Sequence, residues 1–585
     1  MLAALLATLS HAEPVVVEVR QSEQGWQLYR GGAPYFIKGA GGQDRLDELV
    51  AAGGNSIRTW GADGLDELLD AAHKRGLTVT LGIWLGHERH GFDYSDPAQV
   101  AAQLAKAREH VLHYKDHPAL LMWGIGNEME GFEDGGNPVI WKAVNDIAAM
   151  VKELDPNHPT MTVTAEIGGQ RIASLNQYGT AIDIHGINAY GGAASLPERY
   201  RAAGGVKPYL LTEFGPVGSW EIPPTSWGAP PELTSRQKAE FYRNTYEKAV
   251  VGAPGLALGS YAFIWGFKME ATETWFGMFL PDGSRLPVVD TMTELWSGQP
   301  PADRAPDIEP LELSGSAEVE PGTTVEVALR TSDPEGGPLT VRFALRPESG
   351  EYATGGDSRP RLPDIDGAIL RSDVTGSTVR MPHTPGGYRL FAYVYDAAGN
   401  AATANVPLRV LGDATAAGPR LPIAVYDNGL EGMPWVPSGW MGDMGALSLE
   451  PTEEGCYDGS ECLRMGFDQA SGWGGIAWQN PPNNWGEQEG GLDVTGARAL
   501  EFWARGEKGG ERISVGVGLL GRDVAHPDSV RVSKDDLILR STWKQYRIRL
   551  RKRADLTSVK TGFFVTIPGQ GGDVIVYLDR IRFVE

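Results

Sequence analysis

Between residues 34 and 266, eight short apolar runs alternate with segments of helical periodicity, and no other feature of the chain limits its fold as tightly. The runs are PYFIKGA (34–40), NSIRTWG (55–61), LTVTLGIW (77–84), ALLMWGIG (119–126), TMTVTAE (160–166), DIHGINAY (183–190), PYLLTEFG (208–215) and LGSYAFIWG (258–266). Their Val, Ile and Leu content predicts strands of a parallel sheet wrapped by helices. The stretches between them, such as GLDELLDAAHKRG, AQVAAQLAKAREHVLHYKDHP and NPVIWKAVNDIAAMVKELDP, repeat apolar residues at three- and four-residue spacing and have Gly or Pro at their ends, as helices do. Eight βα units in about 250 residues is the arithmetic of a (β/α)8 TIM barrel, whose functional groups lie at the carboxyl ends of the strands.

The chain has 585 residues, too many for one hydrophobic core. The barrel is assigned to residues 13–299. Composition then shifts at the Pro- and acid-rich GQPPADRAPDIEP (298–310), and TTVEVALRTSDPEGGPLTVRFALR and GGYRLFAYVYDAAGNAATANVPLRVLG read as short strands joined by Asp/Gly turns. Residues 300–413 are therefore expected to form an immunoglobulin-like β-sandwich. A second break at DATAAGPRLP (413–422) precedes a Trp- and Gly-rich part without helical segments. Residues 414–585 are expected to form a β jelly roll.

Charge removes one class of partner. A formal net charge of -23 argues against binding a phosphate backbone, which needs clustered Lys and Arg. No apolar run approaches the ~20 residues of a membrane span. The opening MLAALLATLSHA reads as a signal peptide over residues 1–12, although it lacks a positively charged start, and a frayed terminus is the alternative. Cys456 and Cys462, the only cysteines, flank five residues of a loop. A small disulfide in a secreted or periplasmic protein is the reading, with a reduced pair as the alternative.

The chemistry gathers at strand ends. LLMWGIGNEME (120–130) runs an apolar strand straight into Asn127 and Glu128, and LLTEFG ends the seventh strand on Glu213. Strands four and seven face each other across a barrel mouth, so two carboxylates remote in sequence converge there. Glycosidic bond cleavage requires such a pair, one to protonate the leaving oxygen and one to attack the anomeric carbon. Arg58 and Tyr190, ending strands two and six, are placed to keep the Glu213 carboxylate ionised.

IRTW (57–60), KDHPALLMWGIGNE (115–128), DIHGINAY (183–190), YLLTEFG (209–215) and FIWG (263–266) together resemble the clan of retaining glycoside hydrolases built on a TIM barrel with glutamates on strands four and seven. The catalytic domains of family 2 are the nearest in flavour, and FIKGA with NSIRTWG is also similar to fungal β-1,3-glucanosyltransferases. The resemblance implies Glu128 as acid/base and Glu213 as nucleophile. It further implies Asn127 as partner of the sugar 2-hydroxyl, Arg58 and Tyr190 as supports of the nucleophile, and Trp265 as the aromatic floor of the sugar site. A β-glucan or related carbohydrate is the expected substrate, with no cofactor for catalysis; hydrolysis and transglycosylation share the same intermediate. A non-catalytic polysaccharide-binding scaffold is the competing reading.

Other residues complete the candidate substrate-binding set: Trp60 at the end of strand two, His87 after strand three, Glu166 at the end of strand five, His185 in strand six and Trp220 in the loop after strand seven. His87-Glu88-Arg89-His90 lacks the spacing of an HExxH zinc site. Glu221, Trp227 and Trp275 are candidates for outer subsites. The jelly roll resembles carbohydrate-binding modules, with Trp473, Trp478 and Trp485 as candidate stacking residues. Folds of this type commonly hold structural calcium, for which Asp427 and Asp579 are the candidate oxygen ligands.

Overall fold

The computed structural model describes residues 14–348, 352, 356, 361–412, 421–430, 433–457, 461–522, 524–552 and 554–585. The signal-like residues 1–12 and most of the 413–422 break lie outside them.

Eight parallel strands close into a barrel in chain order: Ile37–Gly41, Ser56–Arg58, Thr78–Ile83, Leu120–Asn127, Thr160–Ala165, Ile184–Asn188, Tyr209–Phe214 and Ala257–Ala262. Each falls on one of the eight runs. The first run is divided, because Ala33–Tyr35 pairs antiparallel with Gly25–Arg30, which pairs in turn with Val17–Ser22. This three-stranded sheet was not anticipated. Its Val17 and Leu28 pack on Leu121, Met161, Ile184 and Leu210, so it plugs the amino end of the barrel and leaves the carboxyl end open. Inside the barrel, Ser56 and Thr80 hydrogen-bond the Tyr261 hydroxyl at 2.7 and 2.6 Å, which satisfies polar groups that would otherwise be costly to bury.

The helices begin where capping chemistry directs. Asp96 and Asn137 each accept from the amide two residues on, and each is followed by Pro at the first helical position of Pro97–Tyr114 and Pro138–Leu154, the favoured arrangement. Thr234 and Gln237 form a reciprocal capping box on Ser235–Thr245.

Residues 307–410 form the expected sandwich, with sheets of four strands ordered around Thr324–Ala328 with Gly376–Arg380, and around Gly386–Tyr395 with Ala401–Val410. It is not a separate body. Phe391, Tyr393 and Ala401 belong to the same apolar cluster as the barrel and its helices, and the chain through Leu411 makes one compact unit. Buried charges reinforce the contact: Arg346 meets Glu273 at 2.7 Å, Tyr393 donates to the same carboxylate, and Arg389 donates to the Pro230 carbonyl at 2.8 Å.

The second unit, from Gly412, is a jelly roll of two antiparallel sheets, one of six strands around Val574–Val584 and one of five around Trp473–Gln479. Cys456 and Cys462 are disulfide-bonded. Trp478 is fully buried between the sheets, Trp485 is half-buried and Trp473 is exposed. Trp478 is therefore core and not a stacking surface. Asp427 lies 3.7 Å from Arg580, and the buried Asp579 accepts from the Tyr457 amide. Among the described residues, no group of three or more His, Cys, Asp or Glu side chains is arranged to hold a metal ion, and no helix is long and apolar enough to cross a membrane.

Candidate active site

The open carboxyl end of the barrel contains a cleft of about 680 Å³ whose lining includes Trp60, His87, Asn127, Glu128, Tyr190 and Glu213. Both key glutamates stand where the strand pairing is interrupted. The register shifts between Gly124 and Asn127 in strand four and between Leu211 and Glu213 in strand seven. Such bulges re-aim a side chain that regular alternation would send elsewhere. Gly126 makes the first of them possible: its φ is +69°, and a Cβ there would meet Met129 at 2.6 Å. Glu128 follows at φ +52°, a left-handed conformation that costs a non-glycine residue about 1 kcal/mol.

The two carboxyl groups sit in opposite environments. Glu213 is buried and receives three hydrogen bonds: Arg58 Nη1 donates at 3.0 Å and Trp60 Nε1 at 2.8 Å to one oxygen, and the Tyr190 hydroxyl donates at 2.9 Å to the other. All three donors fix the orientation of the carboxyl group. Glu128 has one donor, Asn188 Nδ2 at 2.7 Å. Burial of its carboxyl, reinforced by the negative charge of Glu213, pushes its pKa from 4.5 up to about 8. Glu128 is thus a protonated acid at neutral pH.

One network fixes both. Arg58 Nη2 donates to Asn127 Oδ1 at 2.6 Å, Asn188 Nδ2 donates to the same oxygen at 3.1 Å, and Thr212 donates to Asn188 Oδ1 at 2.8 Å. Asn188 was not among the residues singled out from the sequence, though its place at the end of strand six, opposite Asn127, was a signal for it. Trp60, expected to touch substrate, also reaches Glu213.

Glu166 lines the cleft at φ +61° and is forked onto Arg199 at 2.7 and 2.9 Å. His87 is buried in the wall and stacks on Trp84 with ring centroids 5.2 Å apart. Trp220 is 55 % exposed at the rim, with Trp84 at 48 % and Phe132 at 74 %; the last two were not foreseen. Three expected residues are not in the cleft lining: Arg58, buried on Glu213, Trp265 and His185. Trp265 is buried against Phe279 and Trp296, its Nε1 donating to the Arg45 carbonyl. The eighth strand ends at Ala262, and Phe263 lines the site in its place. His185 points outward from its strand, packs on Tyr200 and hydrogen-bonds Thr164. Burial holds its pKa down near 3, so it is neutral. Trp275 is core, donating to the Val217 carbonyl, and Trp227 is half-buried.

An eight-stranded barrel with paired glutamates at the ends of strands four and seven has the architecture of a retaining glycoside hydrolase. Residues 69–217 match the model for the glycosyl hydrolases family 2 TIM barrel domain, which covers strands three to seven. A β-glucuronidase of Paenibacillus borealis is 23% identical over 43% of this chain and 46% of its own length. A probable mannan endo-1,4-β-mannosidase C of Aspergillus terreus is 25% identical over 22% of this chain and 37% of its own. The chain thus spans less than half the length of these curated relatives. Among solved structures, the β-D-glucuronidase of Dictyoglomus thermophilum is 20% identical, covering 49% of this chain and 54% of that one with a TM-score of 0.38.

Proposed function

We propose that the protein is a retaining β-glycosidase acting on a β-glucan or related polysaccharide or oligosaccharide by double displacement. The observation that carries this reading is the pair of glutamates in unlike surroundings, Glu213 held by three donors and Glu128 buried with one and pushed up to about 8. The Glu213 carboxylate attacks the anomeric carbon while the bond to the leaving oxygen breaks, and Glu128 delivers its proton to that oxygen. Glu128, now ionised, then takes a proton from the acceptor as the acceptor oxygen displaces Glu213. Asn127 is assigned to the sugar 2-hydroxyl, and Arg58, Trp60 and Tyr190 to holding Glu213. Both steps proceed with these side chains alone, so no cofactor is assigned to catalysis.

Water as acceptor gives hydrolysis. The exposed Trp84, Phe132 and Trp220 at the rim favour a second reading in the same site, transfer to a sugar hydroxyl, since aromatic faces hold an acceptor sugar. The disulfide supports a secreted or periplasmic location.

The test is Glu213→Gln assayed on a 4-nitrophenyl β-glycoside together with adsorption to insoluble β-glucan. Loss of nitrophenol release with retained adsorption is expected. Retained turnover would remove the nucleophile assignment, and a wild-type protein that adsorbs but never turns over would make this a binding scaffold. Products larger than the substrate from a panel of β-linked oligosaccharides would identify transfer, and smaller ones hydrolysis.

A further inference from the structure

The balance of charge around the cleft bears on which sugars it admits. Among the described residues of its lining are five glutamates and three cations, and those cations are engaged by the protein itself. Arg171 donates from Nε to Glu130 at 2.7 Å, from Nη1 to the Gly168 carbonyl at 3.0 Å and from Nη2 to the Glu133 carbonyl at 2.8 Å. Lys268 is ion-paired with the buried Glu270 at 2.8 Å and lies 4.9 Å from the centre of the Phe263 ring. The third, Arg89, lies 5.9 Å from the centre of the Phe132 ring. Two of the glutamates are fixed at the rim: Glu166 is forked onto Arg199, and Glu221 accepts from the amides of Gly191 and Gly218 at 2.9 and 2.7 Å.

A sugar carboxylate is bound where a cation is offered to it, in most cases by a charge-assisted hydrogen bond. Here each cation of the described lining already has a protein partner, so an incoming carboxylate can pair with one only by displacing that partner. The lining also contains the aromatic rings of Trp60, Trp84, Trp220 and Phe263, which suit the C–H faces of an uncharged ring. We infer that this site selects uncharged β-pyranosides and turns away β-uronides, and that Glu270 is a specificity-determining residue because it neutralises Lys268, the one lysine among the described residues of the lining. The inference rests on the glycosidase reading and names the substrate class within it.

The experiment compares 4-nitrophenyl β-D-glucoside, β-D-galactoside and β-D-mannoside with 4-nitrophenyl β-D-glucuronide, for the wild type and for Glu270→Gln. For the wild type, kcat/KM for the best neutral glycoside is expected to exceed that for the glucuronide at least tenfold. Glu270→Gln frees Lys268 and is expected to shift the ratio at least tenfold toward the glucuronide. A wild type that prefers the glucuronide, or a ratio unmoved by the substitution, overturns the inference. Should Glu270→Gln fold poorly, the double variant Glu270→Gln/Lys268→Met, which removes the pair and leaves the net charge unchanged, serves in its place: a neutralised lysine predicts an unchanged wild-type ratio, and selective loss of glucuronide turnover overturns it. Calorimetric binding of the corresponding 1-thio-β-glycosides to the wild type separates this inference from the catalytic reading. Tighter binding of a neutral thioglycoside without any aryl glycoside turnover would sink the reaction and keep the selectivity, and tighter binding of the thioglucuronide would sink the selectivity alone.

Discussion

At the scale of single residues, the three donors on Glu213 are the sharpest handle. Trp60→Phe removes one N–H to a buried carboxylate, a contact of about 1.5–3 kcal/mol, and is expected to lower kcat/KM about 10- to 100-fold; steady-state kinetics on an aryl β-glycoside check this, and a loss below threefold would contradict it. Glu128 makes a pH prediction. Its native pKa near 8 lies above the ordinary 4.5, so between those values the native state holds a proton that the unfolded state has lost. Stability contributed by this group is therefore present at low pH and declines as pH rises toward 8. Activity follows the same proton: the alkaline limb of kcat/KM is expected near pH 8 and should vanish in Glu128→Gln assayed with a 2,4-dinitrophenyl leaving group, which needs no acid. Denaturant melts should find that variant more stable than the wild type above pH 8, and a less stable one would contradict the burial argument. Glu128 and Glu213 were legible because apolar strands that end on carboxylates leave few other readings. Asn188 was not, since an asparagine closing a strand looks like a turn residue until its partners are known. Trp265 was misplaced by the assumption that FIWG continues the strand; the strand stops at Ala262, and the chain turns Phe263 toward the cleft and Trp265 into the core.

At the scale of elements, the eight runs were readable because strands buried by helices are apolar along their length. The amino-terminal sheet escaped notice because its strands, such as GWQLYR, are half-exposed and polar, and its third strand is hidden in the same run as barrel strand one. The bulges at Asn127 and Glu213 were also invisible, since register belongs to neighbouring strands and not to one segment. The join between barrel and sandwich yields a further prediction. Glu273 is buried with Arg346 and Tyr393; Arg346 also pairs with Asp364, so removing the Glu273 carboxylate takes one of two anions from the arginine, at a cost of about 1–3 kcal/mol. Glu273→Ala should lower stability by that amount in chemical denaturation, while a change under 1 kcal/mol would show that the pair is not a fastening.

At the scale of the whole molecule, the linker at 298–310 marked a change of fold but not a separate body. The sandwich shares the barrel's apolar cluster through Phe391 and Tyr393, while the jelly roll has a core of its own. A chain ending at Leu411 should keep aryl glycoside activity and unfold in one transition, whereas one ending at Gln299 exposes that shared surface and should aggregate; calorimetry with activity on the two truncations checks this. Composition could announce the modules but not their interdependence, because shared cores depend on contacts remote in sequence. The central claim, that Glu213 becomes covalently bonded to the sugar, has a direct test. Incubation with 2,4-dinitrophenyl 2-deoxy-2-fluoro-β-D-glucoside and peptide mass mapping should find one fluorosugar on the peptide that contains Glu213, with no adduct in Glu213→Gln. An adduct on another residue, or turnover without any adduct, would contradict it.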